Sequence, residues 1–380
     1  MRCFRVLVGL AALGCSSEAV SNGTPWASGP GVELPFPERV ALVSLFEPTR
    51  PASATALAFN PAVADELWVT LRQQAVQAPC TQSVKTGCAA LPGEVLQVSG
   101  ASTGTPTAML KRDGNAWHFM RRPSSIAFGD NGNLATCGEA RTANYDDDPF
   151  DYTGPVLWSS DPAIFGARPE GNQNGRHLDM LHETPFCMGI AHERDNVYWT
   201  FNGKLGALDR YDFKEPHEIG GEDHSDGELY RHLEQVLDRV AEVPSHLAID
   251  RSAGELYVTD TGHARVLRVK LGTGQADGFV QTLDRIVVNV RMTGTAYEEL
   301  AVPSGTLVAP SGIALSDQWI FVTDNATSLL HAIARDGTLV QSLDTGLPAG
   351  SLSGIAVGSD GSVYLSDLLK GRAYRLQAAE

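Results

Sequence analysis

Apolar and polar positions along the chain fall into one phrase that recurs six times. Each copy opens on Pro or a small residue and runs through a short apolar stretch containing Ile-Ala or Leu-Ala. It breaks at a polar turn and resumes as a run rich in β-branched and aromatic residues. The copies occupy residues 56–59 with 67–70, 123–128 with 133–137, 187–191 with 197–201, 244–250 with 256–260, 310–315 with 320–324, and 352–357 with 363–367. Turn residues such as 130–133 (Asp-Asn-Gly-Asn) and 359–361 (Ser-Asp-Gly) separate the two runs, so each phrase predicts an antiparallel strand pair. Third strands follow, as at 265–269 and 330–334, and a fourth precedes the next copy.

A strand pair repeated at this period cannot bury its apolar face alone, and wedges stacked around a shared axis can. The chain is therefore expected to be all-β, a six-bladed β-propeller over residues 38–380, with the small residues of each first strand lining the crowded axis. The last copy stops after three strands, whereas 39–46 is a spare strand ahead of the first copy. The expected closure places that N-terminal strand on the outer edge of the last blade, where it leaves no open seam.

The phrase Pro310-Ser311-Gly312-Ile313-Ala314, its partner Val322-Thr323-Asp324, and the continuation Thr261-Gly262-His263-Ala264-Arg265-Val266 resemble NHL repeats. The resemblance spans roughly 38–378; it implies the fold and leaves function open. The chain is also distantly similar to peptidyl-hydroxyglycine amidating lyases, NHL propellers with a central metal and histidines at first-strand starts. That similarity implies a metal near the channel mouth.

Arg2 and Arg5 precede an apolar stretch, 6–13, that is too short to span a bilayer, the pattern of an export signal. The stretch ends Ala12-Leu13-Gly14-Cys15, similar to a bacterial lipobox in which Cys15 is lipidated; ordinary signal cleavage is the alternative. Ser16 in place of Asp goes with outer-membrane delivery in such lipoproteins. Residues 1–15 are thus expected to be a lipoprotein signal peptide, and the Ser/Gly/Pro-rich 16–37 a flexible tether. A formal net charge of −16 argues against nucleic acid and against anionic lipid as partners, leaving the anchor as the only membrane contact. Besides Cys3 and Cys15, four cysteines remain, an even number that predicts disulfides in an exported chain. Cys80 and Cys88 bracket a polar loop and are expected to pair. Cys137 ends a second strand and Cys187 begins the next blade's first strand, at one level of the ring, so these two are expected to pair as well.

Calling the face where first strands begin the top, His182, His246, Asp260, Asp324 and Asp367 are expected around the top mouth. Blade three is densest in imidazoles and carboxylates: 177–183, 192–193 and 216–227. Two alternative divalent-metal clusters follow. One uses His182 and His246, with Glu183 as a base; the other uses His217, Asp223 and His224 on a bottom loop near His192. Zn or Cu suits such ligands, while a solvated acidic loop is the plainer reading of 217–226. Met188 is a soft copper ligand or a packing residue, and the acidic run 146–151 a Ca²⁺ site or a solvated loop. Asp260, Asp324 and Asp367 are expected to cap repeats. No Gly-x-Ser-x-Gly, phosphate loop or dinucleotide fingerprint occurs, which disfavours covalent hydrolase and nucleotide chemistry. Two classes remain. One is a metal-binding protein, with catalysis open. The other is a non-catalytic surface scaffold presenting a propeller face to a small molecule, peptide or protein.

Overall fold

A computed structural model describes residues 35–37, 39–73, 92–145, 147–148, 150–167 and 174–379. Six β-sheets form a ring of blades. Their innermost strands are Ala52–Phe59, Pro123–Phe128, Cys187–Arg194, Leu247–Asp250, Pro310–Leu315 and Leu352–Val357. These pack side by side in chain order, the last against the first. Alternation sets the register within a blade: in blade five Ile313 faces Val322 and Ala314 faces Phe321. Side chains projecting from the sheets meet between blades rather than at one centre. Among the described residues there are six buried apolar clusters, one for each pair of neighbouring blades.

Close approach at the axis explains the small residues. A Cβ on Gly189 would sit 2.1 Å from the Ser245 carbonyl oxygen, and one on Gly312 2.2 Å from that of Ser353. Hydrogen bonds then stitch neighbours together. Ser245 N–H donates to Met188 O (3.1 Å), His246 N–H to Ser311 O (2.8 Å), and Ser353 Oγ to Thr55 O (2.7 Å).

The closing strand is Val40–Ser44, antiparallel to Arg372–Ala378 with Leu42 opposite Leu376, so the last blade takes its outer strand from the N-terminus. Phe36, within the segment assigned to the tether, is buried and lies 5.4 Å from the Phe321 ring. Cys137 and Cys187 form a disulfide between blades two and three, with Cα atoms 5.6 Å apart. Cys80 and Cys88 lie outside the described residues, as do Cys15 and the signal segment. On top, Arg72 Nη1 of blade one meets Glu139 Oε2 of blade two at 3.1 Å and Glu242 Oε2 at 2.9 Å. Through Glu242 and through Arg239 Nη1, 2.8 Å from Glu139 Oε1, the 233–244 connection is tied to the ends of blades one and two.

One element departs from the repeat. Between strands Arg265–Lys270 and Tyr297–Glu299 of blade four, the chain inserts a hairpin, Gln275–Phe279 and Val288–Thr293. The hairpin does not extend its own blade. Val288–Thr293 pairs in parallel with Glu228–His232, the outer strand of blade three, giving that blade six strands.

Candidate metal centre

The outer strand of blade two, His177–Met180, forms one wall of a cleft at the rim of the ring. The 213–227 loop of blade three forms the other. This loop starts on the bottom face, where Phe213 N–H donates to Asn196 O, and climbs the blade-two strand rather than staying near His192. His217 N–H donates to Leu178 O (3.1 Å) and Gly220 N–H to His177 O (2.9 Å). The climb lays His217 and His224 against Asp179, a fully buried carboxylate. Asp179, His217 and His224 each offer a ligand atom within 4.8 Å of the others.

Their hydrogen bonds leave donor atoms free. Asp179 Oδ1 accepts from His224 Nδ1 (2.7 Å) and from the Met180 N–H (2.7 Å). His217 Nδ1 donates to the Glu218 carbonyl at 2.6 Å. Asp179 Oδ2 and His217 Nε2 are buried without any hydrogen-bond partner. With Nδ1 engaged, Nε2 carries the remaining lone pair of His224, an imidazole held by a carboxylate in the way that orients metal ligands. Two imidazoles and a carboxylate suit a transition-metal dication and leave a coordination position open.

Burial pushes the Asp179 carboxyl up despite its bond to His224. For His224, burial works against the charged ring, but the hydrogen bond and charge of Asp179 outweigh it and raise its pKa. His177 stacks on Phe119 at 3.7 Å; burial, then the neighbouring His217, lowers it to about 3. His118 is lowered to about 4 by burial and by His182. The cleft, of about 310 Å³, is lined by the imidazoles of His118, His177, His182 and His224 and by Glu222.

His182 lines this cleft and not the channel mouth. Its main-chain N–H donates to Asp284 Oδ2 (2.7 Å), and its Nδ1 lies 3.0 Å from both carboxylate oxygens. Burial favours the neutral Asp284, but the hydrogen bond and charge of His182 win and lower its pKa. Asp284 sits in the turn of the blade-four hairpin.

The structure thus brings His182 and His224 to one cleft, sets His217 against His224 with ring centroids 5.4 Å apart, and sends the other candidates elsewhere. His246 Nε2 donates across the axis to the Ser124 carbonyl at 3.0 Å, and burial lowers its pKa to about 4. Glu183 has φ +105°, accepts the Leu283 N–H (2.6 Å), and faces a separate pocket beside Phe150 and Tyr152. Asp223 is exposed, its carboxylate accepting Ser225 N–H. Met188 packs between blades three and four. Asp151 caps the Asn144 and Tyr145 N–H groups, and residues 146 and 149 of the acidic run lie outside the described residues. Asp324 and Asp367 cap turns: Asp324 accepts Val308 N–H (2.7 Å) and Asp367 accepts Leu369 N–H (2.8 Å). Asp260 accepts Asp238 N–H (2.8 Å).

Asp179 and Asp284 were absent from the expected ligand sets. The first sits inside the singled-out stretch 177–183. A signal for the second exists in the spacing: the chain from Lys270 to Pro310 is far longer than the corresponding Ala334 to Leu352.

No protein-family model and no curated protein sequence matches the chain. Solved structures do match in fold. An auxiliary nutrient binding protein from Bacteroides ovatus aligns with TM-score 0.52 and 12% identity over 90% of this chain and 77% of that one. Its counterpart from Bacteroides thetaiotaomicron gives 0.53 and 10% over 89% and 75%. Virginiamycin B lyase from Staphylococcus aureus gives 0.48 and 11% over 90% and 99%. Together the sheet ring and the two likenesses to the Bacteroides proteins establish a six-bladed β-propeller.

Proposed function

We propose that this chain is an exported NHL-type propeller, lipid-anchored through Cys15 to a bacterial outer membrane, that binds a divalent transition metal in its rim cleft. Asp179, His217 and His224 are the ligands. One observation carries the reading. Asp179 Oδ2 and His217 Nε2 are both buried and unpartnered inside a three-residue donor cluster. An unsatisfied buried polar atom costs about 1–3 kcal/mol, and a cation between them removes both costs. Mixed nitrogen and oxygen donors favour Zn²⁺, with Cu²⁺ next, over Ca²⁺, which prefers oxygen alone.

Elemental analysis of the untagged chain tests this. About one zinc or copper per chain is expected, lost in Asp179→Asn and in His217→Ala/His224→Ala, and retained in His246→Ala. A wild-type protein that takes up neither metal on titration sinks the proposal. For the anchor, Cys15→Ser is expected to move the protein from the membrane to the soluble fraction.

A second reading is a non-catalytic scaffold for a protein or peptide. Phe150 (71% exposed), Phe279 (67%) and Val287 (66%) favour it, since large apolar side chains this exposed mark contact surfaces.

A further inference from the structure

The cleft carries a second device beside the metal donors. His182 is gripped by Asp284 at both its main-chain N–H and its Nδ1. Against an ionised carboxylate, Nδ1 bears the proton, so Nε2 is the ring's remaining basic nitrogen. The ring lines the same cleft as His224. A four-stranded blade has no need of the Gln275–Thr293 insertion, yet its turn is anchored beside this ring. Val287 N–H donates to Gly227 O (3.0 Å) and Leu283 N–H to Glu183 Oε1 (2.6 Å). A carboxylate brought across a blade boundary to fix one imidazole is the arrangement that orients a general base.

We infer that the cleft is an ester-hydrolysing site in which His182 is the catalytic base and Asp284 its positioning residue. The inference rests on the metal reading above. The bound cation supplies Lewis-acid polarisation. In the step assigned to the chain, a water in the cleft yields a proton to His182 Nε2 as its oxygen bonds to the ester carbonyl carbon. The carbonyl electrons move to oxygen and return as the bond to the alcohol oxygen breaks. His182 hands the proton to that oxygen, so ester and water give acid and alcohol with no redox partner.

Charge selects the substrate class. Asp179 is a donor to the single dication site, Glu222 lines the cleft and Asp284 is held against His182, a set of carboxylates that opposes a doubly anionic phosphoester and tolerates a neutral carboxylic ester. Trp117 and Met180 give the cleft an apolar wall for the alcohol or acyl part.

The test uses the full untagged chain loaded with zinc, with p-nitrophenyl acetate as probe. The zinc-loaded chain is expected to exceed both the zinc-free chain and an equal concentration of free zinc. His182→Gln should keep its zinc and lose about 100-fold in rate, the scale of a general base. His182→Gly should recover rate with added imidazole, which a purely structural role does not allow. The groups facing the ring are Asp284 from the hairpin, His118 from helix Ala116–Phe119, Glu183, and His224 across the cleft. Asp284→Asn should keep zinc and lower the rate. Zinc bound without hydrolysis, or His182→Gln at the wild-type rate, overturns the base and leaves the metal reading standing. Failure of the wild type to bind zinc overturns both.

Discussion

At the scale of the residue, His246 shows how one side chain fills a position where sister repeats carry Ser125 or Gly312. The ring crosses the axis to donate to the Ser124 carbonyl, so it plugs the channel as a neutral group. Its folded pKa of about 4 lies below the ordinary value of 6.5, because burial penalises the charged ring. The unfolded chain therefore takes up this proton first as pH falls. The stability it confers is fully present above pH 6.5, declines through the interval down to 4, and is lost below it. The total is about 3 kcal/mol. His246→Gln should flatten this decline. Urea unfolding at pH 7 and pH 4.5 should show the wild type losing about 2–3 kcal/mol more than the variant. Equal losses would mean that the ring is already protonated or hydrated in the fold. This outcome for His246 was only half legible in sequence. The repeat showed that a bulky imidazole replaced a small residue, but not that a main-chain carbonyl two blades away would accept its proton.

Among the elements, the paired strands and the closing strand were legible because alternation and turn residues are local signals. The Cys137–Cys187 bridge followed from strand order, since equivalent ends of adjacent blades lie at one level. Sequence could not place the 213–227 loop or the blade-four hairpin. Both dock on other blades through main-chain hydrogen bonds, which any residue type can make. Gln275–Phe279 is exposed throughout, so it shows no buried-face pattern that names its neighbour. The separate origins of the cleft's parts can be tested. Replacing residues 272–294 with Asn-Gly joins the flanking strands by a tight turn. The shortened chain is expected to keep the propeller's circular dichroism and to keep zinc, since the donors lie on blade two and the blade-three loop. Complete loss of zinc would show that the hairpin itself holds the donors in place. For the disulfide, Cys137→Ser/Cys187→Ser opens a link over a separation of 50 residues. That returns about 4 kcal/mol of loop-closure entropy to the unfolded chain, measurable as a lowered denaturant midpoint.

For the whole molecule, the ring turns on a closure made by a short strand. Val40–Ser44 alternates half-buried and exposed positions, and Leu42 packs into the cluster between blades five and six. Leu42→Asp places a carboxylate against Leu376 and should cost about 2 kcal/mol, while Ala41→Asp, on the solvent side, should change stability by less than about 0.5 kcal/mol. The contrast separates strand pairing from mere charge, and denaturant titration of both variants reads it. If the two variants unfold alike, the segment is not the outer strand of blade six. Under the proposed anchoring, the same strand would set the orientation of the molecule at a membrane. The proposed anchor at Cys15 precedes it, and Phe36 is already fixed against Phe321. The described chain therefore begins beside blades five and six, where Phe36 joins the cluster between them. Blade three stands opposite blade six in a six-membered ring, and the cleft with Asp179, His217 and His224 lies at its boundary with blade two. A chain held from the blade-six side presents this cleft away from the point of attachment. The anchored protein and a tether-free form lacking residues 1–34 should accordingly take up zinc at equal rates; slower uptake by the anchored form would place the cleft on the membrane-facing side.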